Sequence, residues 1–315
     1  MIDFRYHLVS LIAVFLAVAL GIVIGTTQLN GPVLSNLQSQ VTALQADKRS
    51  LEDRTQGLKA QVDTSDAFEQ AVAPALVKGS LTGRKVLVVL ADEQVPQDAV
   101  DQVTTLIGSA GGSVAGTIRL QPAFSDPATQ SALQSYVTGP GLPAGVKLPS
   151  VDDTGKLVGA LLGQSLMIPK TGSPAGASAI SSVLAGLSAL KVLSQEGSSV
   201  TPSNYAVVLT AGAFKGEDAA ARNTALTDLV TALDAAGSGA VVAGDSASAG
   251  TGGLVSVIRD APTLSAAVST VDNVGTSAGQ ISTVLALGSE NKGTSGKYGT
   301  GQDTQPVPPV PSSTP

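Results

Sequence analysis

Leu8 to Gly25, LVSLIAVFLAVALGIVIG, is an unbroken apolar run with no charge and one hydroxyl, Ser10. As a helix it rises about 27 Å, close to the hydrocarbon thickness of a bilayer. A helix apolar on every face belongs in lipid rather than on the surface of a soluble core. The competing reading is a cleavable signal peptide cut after Ala17-Val18-Ala19, but Leu20 to Ile24 carry the apolar run past that site. A retained anchor over residues 8–25 is expected, with Leu8, Phe15, Leu20 and Ile24 facing lipid. Arg5 and the α-amino group precede the span, and Thr26 to Ala46 carries no charge. The excess of positive charge stays inside, which makes residues 1–7 a cytoplasmic tail and places the rest of the chain outside.

The pattern then changes period. Asn30-Gly31-Pro32 is expected to end the membrane helix, and Pro32, well tolerated at a first helical position, to start another. Over residues 32–66 the apolar positions alternate in steps of three and four. Leu34, Val41, Lys48, Thr55 and Val62 fall at heptad position a, and Leu37, Leu44, Leu51 and Leu58 at d. Leucine at d with a partly β-branched a series is the pattern of a two-stranded parallel coiled coil. An amphipathic helix packed on its own domain is the alternative. The flanking charges disfavour a tight homodimer, because Asp47 would face Glu52 and Arg54 would face Lys59. Within one helix, Lys48–Glu52 and Arg49–Asp53 are favourable pairs four residues apart. The expectation is therefore a weak homodimer or a coil with a different envelope protein.

From Gly83 the runs shorten and begin to alternate. Lys85–Ala91 (KVLVVLA), Ser113–Leu120, Tyr205–Thr210 and Gly239–Gly244 read as buried strands. Ser165–Ile168 and Leu254–Ile258 are weaker strand candidates. Helical spacing occupies Asp98–Gly108, Ala128–Val137, Asp152–Leu162, Ala177–Leu193, Glu217–Ala236, Leu264–Val271 and Ala278–Leu287. Strands alternating with helices predict a doubly wound, Rossmann-like α/β domain over residues 83–289. Residues 290–315 are rich in Gly, Ser, Thr and Pro, and are expected to be disordered or polyproline II.

Composition narrows the chemistry. The 315 residues include no Cys and one His, carry a net charge of −6, and are only 3% aromatic, which argues against a nucleic-acid partner. Without Cys there is neither a disulfide nor a thiolate nucleophile. His7 stands at the cytoplasmic edge of the span, so the external domain has no imidazole base for a serine nucleophile. The turn after the first strand, ADEQVPQ, lacks the glycines that admit a pyrophosphate. The Gly-rich turn Gly244–Gly253 has no lysine or acidic ribose partner at the expected spacing, and reads as a flexible loop. Asp92-Glu93 and Asp152-Asp153 could hold a cation, but adjacent residues point apart and suit turns and caps better. Neither a catalytic residue nor a cofactor is expected, and no metal site is assigned.

The opening MIDFRYHLVSLIAVFLAVALGIVIGTTQLNGP resembles the start of the MctB-type copper transporter family of actinobacteria. The KVLVVLAD strand and the late segment VDNVGTSAGQISTVLAL fit the same family, so the resemblance covers nearly all the chain apart from its tail. It implies an envelope protein serving copper efflux and homeostasis, with copper as the transported ion and an assigned pore-forming role in the outer membrane. Related actinobacterial proteins look like division-associated factors that recruit a membrane partner and act on envelope hydrolases. The residues add a tension: copper favours Cys, Met and His, and outside the membrane this chain offers only Met167. A copper-efflux component and a non-enzymatic scaffold for envelope partners thus stand as the two expectations.

Overall fold

The computed structural model describes residues 4–143, 145–197 and 199–310, and within the first helix it leaves the side chains at 4 and 26–34 undescribed. The chain forms two units, Met1–Ser65 and Asp66–Pro315.

The first unit is helical from Phe4 and belongs to α1 (Phe4–Val77). The break expected at Asn30-Gly31-Pro32 does not occur, since α1 continues through those positions. One proline in a helix interior costs about 3 kcal/mol, a local penalty that long helix-forming flanks on both sides outweigh. The coil segment is accordingly a continuation of the anchor helix rather than a new helix.

The second unit begins with the last turns of α1, where Ala73 and Val77 are buried. There follow β1 (Lys85–Leu90), α2 (Gln97–Ser109), β2 (Ser113–Leu120), α3 (Gln130–Val137), α4 (Thr154–Leu166) and α5 (Ala177–Ala189). The chain continues with β3 (Leu193–Glu196), β4 (Tyr205–Thr210), α6 (Ala219–Ala236), β5 (Gly239–Gly244), α7 (Leu254–Asp260) and α8 (Pro262–Ala267). It ends with β6 (Ser269–Val271), α9 (Ser277–Glu290) and β7 (Lys297–Tyr298). The sheet order is β3-β2-β1-β4-β5-β6-β7, parallel except for the β2–β3 pair. Val86–Leu90 lie opposite Tyr205–Leu209, and the order reverses between β1 and β4.

Both faces of the sheet are covered, which is why β1, β4 and β5 read as continuous apolar runs. Leu87, Val89, Ala206, Val208 and Val242 pack under α3 to α7. Val86, Val88, Leu90, Val207, Leu209 and Val241 pack under α2, α9 and the end of α1. On the first of these faces α4 lies close against α6 through glycines four apart, Gly155, Gly159 and Gly163. A Cβ at Gly159 would lie 3.0 Å from the Asp228 carbonyl oxygen, and one at Gly163 2.8 Å from that of Ala232. The helices can approach this closely because those side chains are missing.

Several expected elements change type. Leu254–Ile258 is α7 rather than a strand, and Leu254, Val255 and Ile258 face the core at helical spacing. The strand expected at Ser165–Ile168 reduces to one bridge, Met167 to Ser203, because α4 runs to Leu166. The helix expected over Ala177–Leu193 stops at Ala189, Lys191 turns the chain at φ 56°, and Leu193 opens the edge strand β3. Leu264–Val271 divides into the end of α8 and β6.

The tail expected to be disordered from residue 290 contributes β7, with Tyr298 buried. One aromatic anchor, together with amides that satisfy a buried carboxylate, holds a segment whose composition alone would not.

Candidate functional site

The membrane and seam residues read from the sequence all lie on α1. Across Arg5–Gly25 none of the helix is buried, and Leu8, Phe15, Leu20 and Ile24 are 53%, 70%, 62% and 55% exposed. Leaving one such side chain in water rather than an apolar medium costs about 1.5–3 kcal/mol. An apolar phase around this segment removes that cost.

The seam follows the same logic at a lower density. Leu37, Val41, Leu44, Leu51, Leu58 and Val62 are each more than half exposed, while Leu34 lies outside the residues whose side chains are described. Leu44, Lys48, Leu51 and Thr55 line one shallow apolar groove on the helix surface. Lys48 reaches Glu52 at 3.4 Å, the intrahelical pair expected from the spacing. Among the described residues Arg49 and Asp53 form no ion pair.

In the head, chemistry concentrates at the C-terminal ends of the parallel strands, where open α/β sheets take ligands. Just past β1, at the point where the strand order reverses, the Asp92 carboxylate accepts from the Ala211 amide at 2.9 Å and the Thr210 hydroxyl at 3.1 Å. Its other oxygen accepts from the Gln94 amide at 2.9 Å. Just past β5, Asp245 accepts from the amides of Gly212 at 3.0 Å and Ser248 at 2.8 Å. The Gly-rich turn read as flexible is thereby tied down, with Ser248 fully buried. Just past β6, Asp272 meets Arg259 at 2.7 Å and accepts from the amides of Thr300 at 2.7 Å and Gly301 at 3.0 Å. Burial alone would raise the Asp272 pKa, but the bonds from Arg259, Thr300 and Gly301 outweigh it and hold the carboxyl below its ordinary range. Backbone amides that could cradle a phosphate are therefore engaged by the protein's own carboxylates.

The acidic pairs noted in the sequence separate. Asp92 turns in toward β4, whereas Glu93 is exposed. Asp153 caps α4 by accepting from the Lys156 amide at 3.2 Å, and with Asp152 it lines a cleft of about 340 Å³. The sequence reading missed the third acid there, Asp228 of α6. Burial first, and then the nearby Asp153, raise its pKa, with Lys156 opposing. The four-residue glycine spacing of α4 was the signal that another helix lies close enough to bring such a residue in.

Met167, the remaining soft metal donor of the head, is 1% exposed and accepts a hydrogen bond from the Ser203 hydroxyl at 3.4 Å. Among the described residues, no group of three or more His, Cys, Asp or Glu side chains is arranged to hold a metal ion.

A parallel α/β head with its strand ends internally satisfied, in a chain whose first helix is long and apolar enough to cross a membrane, defines the class: an α/β domain behind a candidate membrane span. The chain belongs to the MctB family, described as "Copper transport outer membrane protein, MctB", whose family model matches residues 1–309. It is 32% identical over 314 residues to the copper transporter MctB of Mycobacterium tuberculosis and of Mycobacterium bovis, covering 98% of this chain and 99% of each relative. The Mycobacterium leprae protein of the same name is 32% identical over 311 residues, 96% of this chain and 97% of its own length. The expected family resemblance thus holds along nearly the full length, including the part of the tail that joins the sheet.

Proposed function

We propose that this protein is a non-enzymatic, single-pass component of copper transport across the cell envelope. In this reading the N-terminus is cytoplasmic and the α/β head lies outside. The observation that carries it is the family match from residue 1 to residue 309, which includes the exposed apolar segment as well as the head. Copper here is cargo. The head offers it no cluster of soft donors, so the chain contributes position and assembly, and the ion passes between subunits or along a partner.

Assembly runs through the seam. Two parallel α1 helices would bury Leu37, Leu44, Leu51 and Leu58 against their counterparts, although Asp47–Glu52 and Arg54–Lys59 repel across that pairing. This charge pattern supports a partner whose flanking charges complement those of α1, recruited as a scaffold recruits, more than a tight homodimer. Deletion of the protein should raise cellular copper, and a variant carrying Leu44→Asn and Leu51→Asn should fail to restore export although its head folds. Normal copper content in the deletion strain would refute the transport role. Full rescue by the seam variant would refute assembly through α1. Cysteines placed singly at residue 3 and at the exposed position 131 of α3 and labelled by an impermeant reagent test orientation: labelling at residue 3 alone would reverse the topology.

A further inference from the structure

A second cleft in the head, about 520 Å³, is enclosed by the last turns of α4 and α6, the N-terminus of α5 and the loops around residues 145 and 171. It is a constructed wall. Gln164 of α4 pins the first of these loops by accepting from the Lys147 amide at 2.9 Å and donating to the Lys147 carbonyl at 2.7 Å.

Three features of this wall share one polarity. α5 begins after Gly176, so no side chain caps its first turn, and that turn carries no acidic residue. The first amides of a helix have no intrahelical acceptor, and together with the helix dipole they act as about half a positive charge. Lys170 is the one charged side chain among the lining residues, in a chain whose net charge is −6. Ser165, also in the wall, is 1% exposed, yet its hydroxyl has no hydrogen-bond partner. A buried hydroxyl left unpaired forfeits the hydrogen bonds it would make with water. In helices such a hydroxyl usually bonds back to the carbonyl four residues earlier, and here it does not. An uncapped helix start, a lysine with no ion pair among the described residues and an unsatisfied hydroxyl in one wall all suit an acceptor-rich anion. Pro143, Pro169 and Ala179 supply apolar surface around it.

We infer that this cleft binds a small oxyanion, a carboxylate or phosphate group on a compact body, seated at the start of α5 and held by Lys170, with Ser165 as donor. The site is distinct from the strand ends. Lys170 acts on the charge of Asp234, which accepts from the Ala240 amide at 3.1 Å, but among the described residues Lys170 forms no ion pair.

Gly176 allows a discriminating test. Its backbone is extended, φ −73° and ψ 156°, and a Cβ there meets nothing within 4 Å. Gly176→Asp therefore supplies an internal cap that occupies the same amides without disturbing the fold, and N-cap acids stabilise helices. The full-length chain in detergent micelles would be titrated with sodium phosphate, with sodium acetate and with sodium chloride as the ionic-strength control, following backbone amides by NMR. The expected result is saturable shifts at Ala177, Ser178 and Ala179 with phosphate, acetate or both, and not with chloride. Lys170→Ala should weaken binding at least tenfold, and Gly176→Asp should abolish it with no loss of thermal stability. Response to phosphate alone assigns a phosphoryl ligand, and response to acetate alone a carboxylate. Absence of saturable shifts with either oxyanion, equal shifts with chloride, or undiminished binding in Gly176→Asp would overturn the inference.

Discussion

Glu290 closes α9 at 7% exposure, with one carboxylate oxygen accepting from the Ser269 amide at 3.0 Å and from the Ser269 hydroxyl. Asp234 of α6 repels it, and Tyr205 of β4 and Tyr298 of β7 feel its charge. Burial first, and Asp234 after it, push the Glu290 carboxyl from 4.5 up to about 7 against the bonds from Ser269. The folded protein therefore keeps a proton that the unfolded chain gives up. Stability from this group is fully present below the unfolded pKa and declines as pH rises toward the folded one. A shift of that size corresponds to about 3 kcal/mol, an appreciable part of the total stability of a domain.

In Glu290→Gln the amide oxygen can keep both Ser269 bonds while the charge disappears. The variant and the parent should be nearly equal at about pH 4.5, and the variant should gain on the parent by about 3 kcal/mol by about pH 8. Urea unfolding of the full chain in micelles, followed by tyrosine fluorescence, reads the head, because three of the four tyrosines (136, 205 and 298) lie there. The repulsion from Asp234 is already part of the Glu290 shift, so its removal is included in that gain. A stability difference that stays constant across that pH range, or a variant weaker than the parent at the upper end, would refute the reasoning.

Asp272→Ala should cost about 3–5 kcal/mol, because it leaves Arg259, whose side chain is 10% exposed, without its counter-charge. The same change should release the segment around Thr300, which limited proteolysis would detect. Gly163→Ala brings a Cβ to 2.8 Å from the Ala232 carbonyl oxygen. The expected net loss is about 1–3 kcal/mol, despite a helix-propensity gain of about 1 kcal/mol. Gly57→Ala, where nothing lies within 4 Å, should be neutral or stabilising in the same melts.

The buried parallel strands could be read from the sequence because their signal is local. Lys85–Leu90, Tyr205–Thr210 and Gly239–Gly244 are runs of Val, Leu and Ala between turn residues, and burial on both faces demands that composition. The edges carry no such signal. β3 (LSQE) holds one apolar residue and β7 has two residues in all, so each exists through backbone pairing supplied by its neighbour. Leu254–Ile258 fits both periods over five residues, and only the core it faces selects the helix. The proline at 32 marked a boundary by local preference, yet helix on both sides carried α1 through it. The same division holds for the carboxylates. Asp92 stood out beside a strand end, but Asp245 and Asp272 matter through amides 33 and 28 residues away. The helical spacing from Ala177 was legible, whereas the cleft at the start of α5 depends on how α4 and α6 end.

Two of the three Met and His side chains, Met167 and His7, test where the cargo travels. Copper(I) prefers thiolate and thioether ligands, and copper(II) prefers imidazole. This chain has two Met, one His and no Cys. Met167 is 1% exposed in the wall of the cleft beside α5, its sulfur accepting a hydrogen bond from Ser203. Met167→Leu is nearly isosteric and should cost less than about 1.5 kcal/mol, with copper export by whole cells unchanged. His7, next to Leu8 at the edge of the lipid-length segment, is differently placed. His7→Gln keeps size and hydrogen bonding while removing the imidazole, so a fall in export with normal protein level would put the ion on this helix. Export that survives both substitutions leaves Met1 as the one thioether in the sequence, and assigns the remaining soft ligands to the partner. A defect in Met167→Leu alone, with normal protein level, would show that the ion visits the head, and would overturn the reading of it as a scaffold.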